Sequence, residues 1–157
     1  MLKNFARQAL ALELLKRHAR TSIVHRETAI PKQVLREAYR ELHSHSPSPG
    51  ALKYSTQGLT RSVRKRKAVT LFAVCFQAVE SQSQAGHIQK VIIAFDIYNM
   101  FCPDSPLDFS EAWVVARDLM AKQIEVVRCH YCGSAALING RDGSKERCAV
   151  CNKAIES

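Results

Sequence analysis

The chain has 157 residues, 46% of them hydrophobic, which suffices for one proper core with a small appendage. Its 23 Lys and Arg against 14 Asp and Glu give a formal net charge of +9, which favours an anionic partner: nucleic acid first, an acidic protein or membrane surface second. No stretch approaches the roughly 18 apolar residues of a membrane span, and charges interrupt the N-terminal apolar segment, so we expect no membrane contact, no signal peptide and a cytoplasmic location.

Apolar periodicity predicts three helices in the first part of the chain. The first covers residues 4–20, with an apolar stripe formed by Phe5, Ala9, Leu12, Leu15 and Ala19. A short second helix, or a turn, is predicted over residues 22–28. Pro31 suits the first turn of the third helix, because its missing N–H would have no partner there. The prolines and glycine of residues 47–50 then predict a connecting loop.

The third helix is predicted to be basic on its solvent side. Its apolar positions are Val34, Leu35, Ala38 and Leu42, and its polar positions include Lys32, Gln33, Arg36 and Arg40. A helix, a short segment and a basic helix are the outline of a helix-turn-helix, so these four polar residues are candidate DNA contacts. An ordinary amphipathic surface helix is the alternative that this pattern leaves open.

Residues 61–67, called the basic run below, hold the densest charge in the chain: Arg61, Arg64, Lys65, Arg66 and Lys67. Like charges three and four positions apart on a helix repel each other, and cations oppose the positive end of a helix dipole. An anion would relieve both effects, so we predict contacts between this run and DNA phosphates. A solvated charged face is the alternative.

The remaining elements follow from apolar patterns. Residues 68–79 are apolar almost all round and predict a buried helix, and residues 88–98 predict another, although residues 91–95 also suit a strand. Ser105-Pro106 is predicted to open the last helix as N-cap and first turn, with Trp113 in the core. Residues 124–128 predict a strand, and residues 135–143 predict a hairpin with Asn-Gly and Asp-Gly turn signals.

Two C-x-x-C motifs, Cys129/Cys132 and Cys148/Cys151, are the most specific signal in the sequence. Their separation by residues 133–147 is typical of a four-thiolate zinc site. Because four thiolates close the tetrahedron, the single Zn²⁺ is expected to be structural. An iron–sulfur cluster, two disulfides or a redox C-x-x-C are the alternatives, and His130 is expected to be a loop residue instead of a ligand.

Catalytic patterns are missing from the sequence. It has no phosphate-binding glycine loop, no H-E-x-x-H and no G-x-S-x-G motif, and its histidines are scattered. No set of residues offers the complementary roles that catalysis needs, so the protein is not expected to be an enzyme.

Several segments can be compared with a known family by their order and spacing: residues 10–15, Ala19-Arg20, Glu27-Thr28, Leu35, Tyr39, Glu41-Leu42, Ser46-Pro47 through Gly50, Ser55-Thr56, Tyr98, Cys102-Pro103, Ala112-Trp113 and the four motif cysteines. In this order and spacing they resemble the FlhC family of flagellar transcriptional activators. One departure is Gln57-Gly58, where the family usually has tryptophan. The family also often continues with a basic tail after the last cysteine pair.

The resemblance implies a DNA-binding activator subunit. Such a subunit works with FlhD in a hetero-oligomer of two FlhC and four FlhD, binds double-stranded DNA upstream of flagellar operons and recruits RNA polymerase. The expected fold is mainly α, with a helical DNA-binding and partner-binding domain over residues 1–123 and a zinc ribbon over residues 124–157. A zinc-stabilised scaffold whose basic surface docks an acidic protein is the alternative function.

Overall fold

The computed structural model describes residues 1–139 and 146–155, and this part of the chain is mainly helical, as predicted. Its helices are α1 (Leu2–Lys16), α2 (Thr21–Thr28), α3 (Lys32–His43), α4 (Val63–Gln82), α5 (His87–Phe101) and α6 (Phe109–Met120), with a 3-10 turn at Thr56–Leu59. The strands are β1 (Ile124–Arg128) and β2 (Ala135–Asn139). None of these described helices is long and apolar enough to cross a membrane.

The chain divides into two compact units, Met1–Leu52 and Lys53–Ser157. The second unit therefore contains both α4–α6 and the four-cysteine element, which is the described part of residues 124–155. A separate domain over residues 124–157 stays a prediction.

In the first unit, α1 packs against α2 and α3 around buried Leu14, Leu15 and Leu35. The predicted stripe of the first helix is only partly buried: Leu15 and Ala19 are in the core, whereas Phe5 is 71% exposed and Leu12 41% exposed. Helix α2 has 8 residues against 15 in α1, or about 12 Å against about 22 Å, so it is too short to cover the whole of α1.

On α3 the inward face is also narrower than predicted. Leu35 and Tyr39 are buried, whereas Val34 is 51% exposed and Leu42 40% exposed. Tyr39 takes a core position because its ring fits beneath the end of α1, where its hydroxyl meets the His18 ring.

In the second unit, α4 is the central element. Helices α5 and α6 pack on it, as do both strands, and its inward face carries Phe72 and Phe76. Trp113 is 4% exposed, so its predicted core role is confirmed. Residues 88–98 lie within α5, which confirms the helix over the strand alternative.

Helix α6 begins later than predicted. Asp108, not Ser105, is its N-cap: Asp108 Oδ1 accepts a hydrogen bond of 2.8 Å from the Glu111 backbone N–H. Glu111 Oε1 in turn accepts one of 3.3 Å from the Asp108 backbone N–H, completing a capping box. Ser105 Oγ instead accepts from Leu107 N–H, which stabilises a turn before the helix.

The two strands form one antiparallel pair, with Ile124 opposite Asn139 and Arg128 opposite Ala135. The β1 prediction is confirmed. Strand β2 pairs with the preceding strand β1, so the first C-x-x-C motif lies in the connection between the two strands. The predicted turn residues 140–143 lie outside the described residues.

Candidate metal centre and basic surfaces

The two C-x-x-C motifs form matching turns. In the first, Cys129 N–H donates to Ser134 O at 2.8 Å and Gly133 N–H donates to Cys129 O at 2.8 Å. In the second, Cys148 N–H donates to Lys153 O at 2.9 Å and Asn152 N–H donates to Cys148 O at 3.0 Å. Gly133 and Asn152 have φ of 73° and 59°, the left-handed conformation that glycine and asparagine tolerate best. Each turn thus directs two sulfurs to the same side.

The four sulfurs meet at one point. Cys129 Sγ lies 3.6 Å from Cys151 Sγ, Cys132 Sγ lies 3.6 Å from Cys148 Sγ, and all four lie within 4.8 Å of one another. A disulfide needs about 2.05 Å, so these cysteines are not paired covalently. Four thiolates bonded at about 2.3 Å to one central ion would lie near 3.8 Å apart, so the geometry fits a metal ion. His130 is exposed and lies outside the set.

The electrostatics of the sulfurs also suit a cation. Backbone N–H groups of Cys132 and Tyr131 lower the pKa of Cys129, and the Ser134 side chain and backbone lower the pKa of Cys132 to about 6. At Cys151, a backbone hydrogen bond at Lys153 favours the thiolate, but burial and the neighbouring cysteines outweigh it and raise the pKa to about 11. Adjacent thiolates repel one another, and a bound cation would offset that repulsion.

A small apolar core surrounds the sulfurs. Cys129 and Cys148 are buried with Ala136 and Ile155, and Val127 and Ile138 pack against this cluster. The four-cysteine element therefore has little core of its own, so a bound ion would contribute much of its stability.

The predicted DNA contacts on α3 share one exposed face. The side chains of Lys32, Gln33, Arg36 and Arg40 are all exposed. Gln33 donates to Glu37 Oε1 at 2.8 Å along the helix. The face is accessible, as a helix that contacts DNA requires. The polar face of any amphipathic surface helix is equally accessible, so exposure alone does not distinguish the two alternatives.

The basic run covers the start of helix α4, and its five side chains differ in exposure and in contacts. Lys65 and Arg66 are half-buried, whereas Arg61, Arg64 and Lys67 are exposed. Lys65 Nζ lies 2.7 Å from both Glu111 and Pro106 O, and Arg66 donates to Thr60 O at 3.2 Å and Arg147 O at 3.1 Å. Arg64, although exposed, donates to Asp104 O at 3.2 Å. Three of the five cations thus make contacts within the second unit, and two of these three are half-buried.

A buried carboxylate that sequence analysis missed holds the start of the second unit. Asp118 is 1% exposed, and its Oδ2 accepts from both the backbone N–H and the hydroxyl of Thr56, each at 2.8 Å. Arg117 donates to Asp118 Oδ1 and, at 2.6 Å, to Tyr54 O. The only available signal was the pair Arg117-Asp118 at the end of an otherwise apolar stretch of α6.

Comparisons with known proteins extend over nearly the whole chain. The family model of the flagellar transcriptional activator FlhC matches residues 1–156. The flagellar transcriptional regulator FlhC of Cupriavidus necator is 24% identical over 156 residues, covering 96% of this chain and 76% of that protein. Those of Cupriavidus metallidurans and Yersinia enterocolitica are 27% and 24% identical, covering 80% and 90% of this chain and 61% and 76% of theirs. These names describe regulators of transcription and not enzymes.

Proposed function

Because the chain belongs to the FlhC family of flagellar transcriptional activators, we propose that it binds double-stranded DNA in a hetero-oligomer with an FlhD-like subunit. In this proposal the complex, with two copies of this chain and four of the partner, recruits RNA polymerase to flagellar operons. The observation that carries the proposal is the family match over residues 1–156. The net charge of +9 and the exposed cations of both units support it.

For the metal centre, the proposal is one structural Zn²⁺ held by Cys129, Cys132, Cys148 and Cys151. Four soft thiolates at tetrahedral spacing suit Zn²⁺, and they leave no coordination position for water. An iron–sulfur cluster needs its cysteine sulfurs farther apart, because they bind different iron atoms. The ion would supply folding stability and no chemistry.

For the DNA surface, Arg61, Arg64 and Lys67 are proposed as phosphate contacts, together with the exposed face of α3 formed by Lys32, Gln33, Arg36 and Arg40. Lys65 and Arg66 are half-buried and bonded to other protein groups, whereas Arg64 stays exposed although it donates to Asp104 O. The part of Lys65 and Arg66 in DNA binding is therefore proposed to be indirect, through holding α4 against Glu111 and Arg147.

The test is the salt dependence of DNA binding by the complex of this chain with an FlhD-like subunit. The slope of log K against log salt should become shallower by about 2 in the double variant Arg61→Gln/Lys67→Gln, since each phosphate contact contributes about 0.9. The charge-matched control Lys3→Gln/Lys53→Gln removes two exposed lysines outside the basic run and should keep the slope. Fluorescence anisotropy with promoter DNA measures both.

Two results would count against this assignment. An unchanged slope in Arg61→Gln/Lys67→Gln would remove the basic run from the DNA surface. Failure of the complex to bind any flagellar promoter DNA would overturn the activator role itself.

Lys65→Gln is expected to differ from both variants, lowering the unfolding free energy by about 1–2 kcal/mol because Glu111 loses its partner.

A further inference from the structure

An open cavity of about 340 Å³ lies beside the basic run, within the second unit. The first turns of α4, the end of α5 and the connection from α5 to α6 form its walls. Its floor is apolar, made by Ala68 and Leu71, and Pro103 and Pro106 close one side. A volume in this range is typical of small-molecule sites, and it is too small for a folded segment.

The walls of the cavity are held in place by contacts around the connection. Tyr98, which is 0% exposed, hydrogen-bonds through its hydroxyl with Ser105 Oγ. Lys65 Nζ donates to Pro106 O at 2.7 Å and Arg64 donates to Asp104 O at 3.2 Å. These contacts join the connection to both α4 and α5, so the cavity is formed before any ligand arrives.

The rim of the cavity carries an excess of positive charge. Arg64 and Lys67 lie one turn apart on α4 and both line the cavity, and the carboxylate of Asp104 lines it too. Two cations against one anion leave one positive charge. Within the described residues, Lys67 makes no ion pair or hydrogen bond, so its ammonium group is available to a ligand. The positive end of the α4 dipole adds to the attraction for an anion.

From these features we infer that the cavity binds a small amphipathic monocarboxylate, with an aromatic or branched apolar body on the floor and its carboxylate beside Lys67 and Arg64. The apolar floor selects the body, because desolvating it is favourable. The rim selects a single negative charge. The same two cations are proposed DNA contacts, so the bound ligand would compete with phosphate for them; this last consequence rests on the proposed function.

The first experiment measures ligand binding without DNA, so that its failure is independent of the activator role. Phenylacetate titrated into the metal-loaded protein, alone or in its complex, should bind with a dissociation constant on the order of 1 mM, as expected for so small a ligand. Its neutral analogue phenylacetamide should bind several-fold more weakly. Calorimetry or ligand-observed NMR provides the readout.

Variants locate the site. Lys67→Gln should weaken phenylacetate binding about two- to fivefold, the effect expected of one exposed charge, and Leu71→Gln should abolish it through the floor. Lys53→Gln, an exposed lysine outside the cavity, should leave it unchanged. Unchanged thermal unfolding of Lys67→Gln keeps this comparison free of folding effects.

Three outcomes would overturn the inference: no binding up to about 10 mM phenylacetate, equal binding of the neutral amide, or equal binding to Lys67→Gln and wild-type protein. Occupation of the cavity by a side chain of a partner protein, seen as loss of phenylacetate binding only in the complex, would also overturn it. If phenylacetate binds but does not weaken promoter DNA binding, the site stands and only the proposed competition fails.

Discussion

At the scale of single residues, Asp118 explains how the irregular segment before α4 is attached to α6. A carboxylate removed from water loses its hydration and must be compensated by hydrogen bonds. Asp118 receives two bonds from Thr56 at one oxygen and the Arg117 guanidinium at the other. Arg117 also binds Tyr54 O, so the pair anchors residues 54 and 56 together.

Asp118→Ala is therefore expected to destabilise the second unit by about 2–4 kcal/mol, because it leaves the Thr56 N–H and hydroxyl unsatisfied in a buried position. Urea unfolding followed by the fluorescence of Trp113, which lies in the same helix, measures the effect. Asp104→Ala is the matched control, since that carboxylate is exposed, and it should change the unfolding free energy by less than about 0.5 kcal/mol. Equal losses in the two variants would contradict the anchoring role.

Sequence spacing predicted that the four motif cysteines cluster. It did not predict the buried carboxylate of Asp118, nor which cations of the basic run are half-buried against other protein groups. The two C-x-x-C motifs form the same local turn, so the placement of each cysteine pair depends only on residues within a few positions of the motif. The partners of Lys65 and Arg66 are Glu111 and Arg147, which are distant in sequence and brought near only by the packing of α6 and the four-cysteine element on α4. Local patterns carry no information about such pairs.

At the scale of elements, the junction of α1 and α3 depends on stacked histidines. His18 follows α1 with φ of 59°, and its ring stacks on His43 at a centroid distance of 3.9 Å. His43 Nε2 donates to Leu15 O at 2.8 Å, which satisfies a carbonyl at the end of α1. His18 Nδ1 lies 3.0 Å from the Tyr39 hydroxyl.

Acid is expected to weaken this junction. Partial burial, and then the charges of His43 and His45, hold the pKa of His18 below its ordinary value of 6.5. At His18 the unfolded chain therefore binds more protons than the folded one below about pH 6.5, so the contribution of this residue to stability is complete above that pH and falls as pH decreases through it. Hydrogen exchange of the amides in α1 and α3 between pH 7.5 and 5.5 should show falling opening free energies.

His18→Asn should reduce that pH dependence, since asparagine tolerates positive φ and does not titrate. His87→Asn, an exposed histidine of the second unit, should leave the pH dependence of α1 and α3 unchanged. An equally steep loss of protection in His18→Asn would show that other groups govern the acid response.

The apolar periodicity of the sequence predicted which helices exist, but not at which residue each begins or which of its faces is buried. Ser105-Pro106 and Asp108 are both acceptable helix starts by sequence, and the Glu111 carboxylate, fixed by Lys65, favours the second. Likewise the apolar spacing of α1 predicts a buried stripe throughout, whereas the length of its neighbour α2 decides how much of it is covered. Both outcomes depend on elements elsewhere in the chain.

At the scale of the whole molecule, the four-cysteine element and the basic run belong to one packed unit. Strands β1 and β2 both contact α4, the helix that begins with the basic run. Arg66 on that helix donates to the carbonyl of Arg147, which immediately precedes Cys148. Loss of the proposed metal ion would release the turn at Cys148 and with it this hydrogen bond, so the four-cysteine element and the proposed DNA surface should fail together.

Removing the proposed zinc ion is therefore expected to abolish DNA binding by unfolding the four-cysteine element, without the loss of any chemistry. Wild-type protein should contain about one zinc per chain by elemental analysis, and Cys148→Ser should lose it, unfold at lower temperature and no longer bind promoter DNA in the complex with an FlhD-like subunit. Cys75→Ser alters a cysteine of α4 outside the cluster and should retain both zinc and DNA binding. If protein stripped of its metal by a chelator still bound promoter DNA with the wild-type salt dependence, the four-cysteine element would be peripheral, and the link through Arg66 would not support the DNA surface.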